Sequence, residues 1–305
     1  TSWENAKARR PLTASRNNEG RLMNYTTSET EIEELHALAR AIRLETLKAL
    51  TGLGFGHYGG CMSVVETLAV LYGSVMRIDP ADPDWPERDD FVLSKGHAGP
   101  ALYSTLAIKG YFPQAELKTL NQNGTRLPSH PDRLRTRGVD ATTGSLGQGV
   151  SIAAGMALSH RLAGRRNRVF SILGDGELNE GQCWEAFQFI AHHNLNNLTL
   201  FIDYNKQQLD GALDEVIQPF DLAAKFRAFG FEVQTIKGDD IAALLAAVAP
   251  ARGGEQRPLA IVLDSIKGQG VAYLENLSNS HHLRLTPDVQ QEIEKAIAEL
   301  EAAHV

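Results

Sequence analysis

An apolar run, Phe170-Ser171-Ile172-Leu173, stops at Gly174-Asp175-Gly176. The run has the character of a buried strand, and a helix-like segment follows it. In an open parallel sheet, ligands bind at the carboxyl ends of the strands, and Asp175 stands at such an end. The flanking glycines let a bulky anion approach the backbone, and the next helix offers free N–H groups to it. A carboxylate beside an anion is favourable when a cation bridges them. Mg²⁺ does this with one or two protein oxygens plus phosphate oxygens. Thirty residues later, Asn205 follows a second apolar run, 198–203. That separation is one βαβ unit, which would bring Asp175 and Asn205 to neighbouring strand ends and onto one ion. Gly-Asp-Gly alone is also a common tight turn; the matching Asn205 favours the ion site.

Such a site needs a parallel sheet behind it, and the pattern supplies one. Helix 148–162 is followed by strand 168–173, helix 178–193, strand 198–203, helix 219–228, strand 231–236, helix 239–248 and strand 259–264. Val, Ile, Leu and Phe fill the strands without clean alternation. Strands of that kind are buried on both faces, so we expect an α/β fold: a parallel sheet with helices on each side. Upstream, Ser28 and Glu31 form a capping box ahead of Ile32, Leu35, Ala39 and Ile42 at helical spacing. Ser63 and Glu66 repeat that signal before a second helix, to about Met76. Residues 79–87 hold three prolines and form a loop. A short strand spans 91–94, with a helix starting near His97. Thr286-Pro287-Asp288 opens a last helix, to about Ala303. Residues 1–27 form a polar arm, and 28–305 form one domain.

The totals exclude several classes. The chain has 305 residues, 43% of them hydrophobic, so it can bury a large core. A net charge of -7 without a basic block argues against nucleic acid or an anionic membrane as partner. The longest apolar runs, such as 241–249, are too short to span a bilayer, and the first residues lack a signal peptide's apolar core. Two cysteines, Cys61 and Cys183, make no disulfide framework. The expected compartment is the cytoplasm.

Several blocks then stand in a recognisable order: "GFGHYGGCMSVVETLAVLY" (54–72), "DDFVLSKGHAGPALYSTLAIKGY" (89–111), "SHPDR" (129–133), "TTGSLGQGVSIAAGMALS" (142–159), and Gly-Asp-Gly with Asn205. Together they resemble the thiamine-diphosphate-binding domain of transketolases over roughly residues 30–285. The resemblance stops at that domain, so it implies the N-terminal subunit of a split transketolase. The partner subunit would carry the Pyr domain, with the glutamate that activates the cofactor, and the C-terminal domain, in an α2β2 assembly.

The resemblance implies that Asp175 and Asn205 bind Mg²⁺ with their side chains and Gln207 with its carbonyl. It places the Gly176 amide on the diphosphate, Gly144 and Leu146 beside the aminopyrimidine, and Leu209 under the bent cofactor. Leu146 and Leu209 are also what an ordinary core would contain. Glu180 matches the acid that meets the partner's activating glutamate; it is equally a first-turn helix acid favoured by the dipole. His57, His97, His130 and His281 match catalytic positions. Moving a two-carbon unit between sugars needs a base for a hydroxyl and an acid for an aldehyde oxygen, and imidazole can serve both. His57 and His281 would handle these protons. His97 and His281 would also approach the diphosphate, and His130 would hold the donor's first hydroxyl.

Two departures stand out. "NSHHLRL" replaces the family's Trp-His, and the spacing to Leu285 favours His281 over His282. Tyr58 follows His57 where the family has proline, which would alter the acceptor pocket. His36, His160, His192, His193 and His304 have no implied role. The alternatives are the α subunit of a thiamine-dependent 2-oxo-acid dehydrogenase, which shares Gly-Asp-Gly and Asn, and a regulatory diphosphate-binding domain without catalysis.

Overall fold

The computed structural model describes residues 28–253 and 257–303. The expected arm, 1–27, and His304 lie outside the described residues. Helix α1 (Glu29–Leu53) starts as the capping box requires, with Ser28 Oγ accepting the Glu31 N–H at 3.1 Å. It ends at Gly54, whose φ of 84° is the left-handed C-cap that glycine adopts without strain.

The sheet has five parallel strands, introduced in chain order as β1 (Asp90–Leu93), β2 (Val169–Gly174), β3 (Leu198–Tyr204), β4 (Glu232–Lys237) and β5 (Leu259–Asp264). Their spatial order is β1-β2-β3-β5-β4, and every pairing is parallel. Alternate residues of β2 bury into different layers. Phe170 and Ile172 pack with α1, with α2 (Gly99–Ile108) and with the helix Ile241–Gly253. Val169 and Leu173 pack with α3 (Gln148–Leu162), α4 (Gly181–His192) and the helix Leu222–Ala228. The absence of polar alternation in the strands is the signature of this double coverage.

β1 is an edge strand, yet all four of its residues are buried. Side chains of the loop that leads into the helix Gln148–Leu162 cover its free edge. Asp140 Oδ2 accepts the Phe91 N–H at 2.7 Å, and Thr143 Oγ1 donates to the Leu93 carbonyl at 2.7 Å. A separate antiparallel ribbon pairs Phe55–Gly56 with Leu283–Arg284.

Several expectations need correction. Ser63 and Glu66 are not a capping box. Ser63 donates to Asp203 Oδ2 and Glu66 pairs with Arg43, both deep in the core. A short helix, Val65–Val70, instead runs into a π-turn, Leu71–Val75. The segment expected as helix 178–193 is a 3₁₀ turn, Gly176–Asn179, followed by α4. The helix expected from 219 starts at Leu222, because Asp221 caps it by accepting the Ala224 N–H. Tyr58 is fully buried, so it fills the core rather than lining an acceptor pocket.

Candidate active site

The carboxyl ends of the strands converge. β1 leads into Ser94-Lys95-Gly96-His97, β2 into Asp175 and Gly176, β3 into Asn205, and β5 into the loop bearing Lys267. They line a cleft of about 350 Å³ whose walls include Asp175, Asn205, Gln207, Lys267 and His281.

A carboxylate that lies behind this cleft organises it. Asp203 is fully buried and accepts from Lys95 Nζ at 2.6 Å, Ser63 Oγ at 2.7 Å, Asn205 Nδ2 at 2.8 Å and Ser265 Oγ. Burial alone would raise its pKa, but the Lys95 ammonium and the hydroxyl donors hold it below the usual range. Because Asp203 takes the Asn205 amide nitrogen, the Asn205 oxygen is turned the other way, where it accepts the Gln207 N–H at 3.2 Å.

Asp175 accepts the Gly176 N–H at 2.8 Å and the Lys206 N–H at 2.6 Å. It is 3% exposed, and burial, with the Asp203 charge next, pushes its pKa up to about 7. Gly176 must be glycine, since a Cβ there would lie 2.9 Å from Gln208 Cβ. Its amide, expected on the diphosphate, donates to Asp175 in this arrangement.

Two functional groups escaped the motif reading. Lys267 Nζ donates to the Gln207 carbonyl and to His281 Nδ1, each at 2.9 Å. Burial, with Lys95 next, lowers its pKa to about 8, so it still presents positive charge at neutral pH. The signal was present: a lysine just past a strand end, followed by Gly-Gln-Gly. Glu177 is buried and accepts from Ser94 Oγ, the Gly147 N–H at 2.8 Å and the Gly174 N–H at 3.1 Å. It ties the end of β2 to the loop that carries Gly144 and Leu146.

The histidines gather beside the cleft. The His57 ring centroid is 5.3 Å from His97, 6.1 Å from His130, 5.3 Å from His281 and 4.9 Å from His282. His97 and His281 are 5.0 Å apart and both line the cleft. His282 lies on the far side of His57, against Phe55 at 6.0 Å. Leu146 and Leu209 are 37% and 59% exposed on the cleft rim, so neither is core. Glu180 lines the same cleft; it sits at the N-cap of α4, where its side chain makes no cap hydrogen bond. Gly144 has a φ of 150°, and a Cβ there would lie 3.3 Å from the His130 ring.

Burial lowers all four matched histidines. For His57 the His282, His130, Lys267 and Lys95 charges add to it, bringing its pKa to about 4; for His281 Lys267 is next, giving about 3. His97 lies well below its usual value and His130 is also lowered. The rings are therefore neutral at pH 7. With Nδ1 accepting from Lys267, a neutral His281 carries its hydrogen on Nε2. In the cofactor-free protein, NMR titration of the ring C–H signals should place the His57 and His281 midpoints below pH 5. Midpoints near 6.5 would contradict this site. Each ring's contribution is fully present above its unfolded value of about 6.5 and is lost as pH falls through the folded value.

Fold and cleft define an α/β domain with a polar, charged cleft at the carboxyl ends of its strands. Residues 35–300 match the family model "Transketolase, thiamine diphosphate binding domain". The chain belongs to the transketolase family, as its thiamine-diphosphate-binding domain. It is 48% identical over 274 residues to the 6-deoxy-6-sulfo-D-fructose transketolase subunit SqwG of Clostridium sp. (strain MSTE9), covering 90% of this chain and 98% of that one. It is 36% identical to an apulose-4-phosphate transketolase subunit of Actinobacillus succinogenes, covering 88% and 96%. Among solved structures, the transketolase of Campylobacter jejuni superposes with a TM-score of 0.79 at 29% identity, covering 87% of this chain but 43% of that one. The chain thus spans nearly all of relatives named as subunits and under half of the transketolase of solved structure. Among the described residues no helix is long and apolar enough to cross a membrane.

Proposed function

We propose that this chain is the thiamine-diphosphate- and Mg²⁺-binding subunit of a two-chain transketolase that moves a two-carbon ketol unit from a ketose to an aldose. The observation that carries the reading is the donor set at the strand ends: the Asp175 carboxylate, the Asn205 oxygen and the Gln207 carbonyl around one cleft. Among the described residues no three His, Cys, Asp or Glu side chains group as a metal centre. One carboxylate with neutral oxygens suits Mg²⁺, which takes its remaining ligands from phosphate and water. The Lys267 ammonium already rests on the Gln207 carbonyl, so that oxygen is accessible to a positive group. Gln207 Oε1 is also buried without a hydrogen-bond donor.

Thiamine diphosphate, when bound, supplies a nucleophilic carbon able to take up and release a two-carbon unit. This chain's residues do the rest on their side of the cleft. Asp175, Asn205 and Gln207 hold the ion against the diphosphate, and Lys267 neutralises part of its charge. Leu146 and Leu209 shape the cofactor from the rim. Neutral His57 would take the proton of the donor's hydroxyl and return it to the acceptor's aldehyde oxygen, and His281 would donate a hydrogen bond from Nε2 to the same oxygens, with His97 at the diphosphate end and His130 at the donor's first hydroxyl.

The partner subunit supplies the activating glutamate and closes the exposed rim, and Glu180 faces it. We expect two copies of each chain, since thiamine sites of this kind are built between subunits. The test mixes the chain, thiamine diphosphate, Mg²⁺, a ketose donor and an aldose, with and without the partner. Transfer should require both chains, with the chain alone at least about a thousandfold slower, because general acid–base activation alone is worth roughly 10²–10⁴. Comparable transfer by the isolated chain would overturn the two-chain reading.

A further inference from the structure

The ribbon next to the histidine cluster has its own face. Its register pairs Phe55 with Arg284 and Gly56 with Leu283. Alternate residues of a strand share a face. Phe55 and His57 therefore project together from one strand, and Arg284 and His282 from the other. The ring positions agree, with His57 to His282 at 4.9 Å and Phe55 to His282 at 6.0 Å. The opposite face is closed. Gly56 has a φ of 149°, and a Cβ there would lie 2.6 Å from Leu50 Cδ2 of α1. Only the His57–Phe55–His282–Arg284 face is open.

One end of this face is the reaction centre, through His57. The other end is Arg284, two residues beyond His282, or about 7 Å along the ribbon, the span of a short extended sugar chain. Arg284 is exposed and makes no ion pair or side-chain hydrogen bond with any described residue. A guanidinium offers a planar fork that fits a terminal oxyanion in two-point contact. The surface between is a phenyl ring, 38% exposed, and an exposed imidazole, which suit the alternating C–H and hydroxyl edges of a sugar.

We propose that this ribbon face is a specificity site for the sugar's anionic tail: the chain of the sugar lies over Phe55 and His282, and Arg284 takes the terminal phosphate or sulfonate. The proposal rests on the ketol-transfer reading above. It assigns part of substrate choice to this subunit, independently of whatever the partner contributes.

The experiment uses the reconstituted two-chain enzyme with three donors: a ketose with a terminal phosphate, its terminal sulfonate counterpart and the uncharged parent sugar. For Arg284→Ala, the ratio of kcat/KM for anionic over uncharged donor should fall roughly tenfold to a hundredfold, the range of a charge-assisted hydrogen bond. Arg284→Lys should fall less, since it keeps the charge and loses the fork. Arg284→Gln repeats the first test with a similar side-chain length. A fall in both anionic arms means a general oxyanion site; a fall in one arm identifies which anion the site selects. An unchanged ratio in Arg284→Ala and Arg284→Gln for both anions overturns the proposal. Wild-type enzyme that transfers from none of the donors would instead overturn the reading of function itself, and with it this site.

Discussion

Asp175→Asn is expected to abolish cofactor retention while leaving the fold in place. The side chain is 3% exposed and accepts two backbone N–H groups. Burial and the Asp203 charge push its pKa up to about 7, so the folded protein holds an acid that gains from a cation. The amide keeps the shape and one acceptor oxygen but removes the charge. Loss of an outer partner of a metal ligand already costs about 10–100-fold in metal affinity, so loss of the charged ligand should exceed a hundredfold. Calorimetry of Mg²⁺ and thiamine diphosphate binding to the two-chain enzyme measures this. The cofactor-free melting temperature should stay within a few degrees of wild type. Unchanged cofactor affinity in this variant would remove Asp175 from the site.

Lys95→Met is expected to produce the largest loss of stability. Lys95 is 1% exposed, and its ammonium lies 2.6 Å from the fully buried Asp203. Removing one member of a buried pair leaves an uncompensated charge, which costs about 3–5 kcal/mol. For a chain of this size that is a fall of roughly 10 °C in melting temperature. The pH dependence separates this cause from a simple packing defect. In the wild type, Asp203 is held below its usual pKa, so its contribution is present above about 3.8 and lost as pH falls through the folded value. In the variant the carboxyl should titrate higher, so the deficit should grow as pH rises and shrink in acid. Lys95→Met with Asp203→Asn should recover most of the loss, because the orphaned charge is gone. Equal deficits at pH 4 and pH 8, with no recovery in the double variant, would show that the lysine acts only through its packing.

These two residues also mark the boundary of what the sequence could reveal. The place of Asp175 at a strand end was legible because its cue is local: glycines on both sides and a strand before it. Asn205 was legible because βαβ spacing is nearly fixed. The parallel sheet was legible because double burial removes polar alternation from the strands. Lys95 and Asp203 were not, since their meaning lies in a contact between residues 108 positions apart. Ser63 and Glu66 mimicked a helix start for the same reason. A serine followed three residues later by glutamate is a capping box only if both side chains face the helix end. Here Asp203 and Arg43, supplied by distant segments, claim them instead. Lys267 lay in plain view after β5, but a lone lysine carries no spacing rule. The histidines were legible as a set through resemblance. The spacing to Leu285 singled out His281, and it is His281 that lines the cleft while His282 lies against Phe55.

The covered edge of β1 has a consequence for the free chain. Unpaired strand edges are the places where identical chains can stitch together into insoluble aggregates. Here the outermost strand does not offer its hydrogen-bonding groups to a stranger. Asp140 and Thr143 occupy the Phe91 N–H and the Leu93 carbonyl with side chains, in place of a sixth strand. The opposite edge, β4, has Val233 as its one buried residue and carries Glu232 and Lys237 at its two ends, charges that resist stacking. Along β1 the sheet is thus closed to copies of itself.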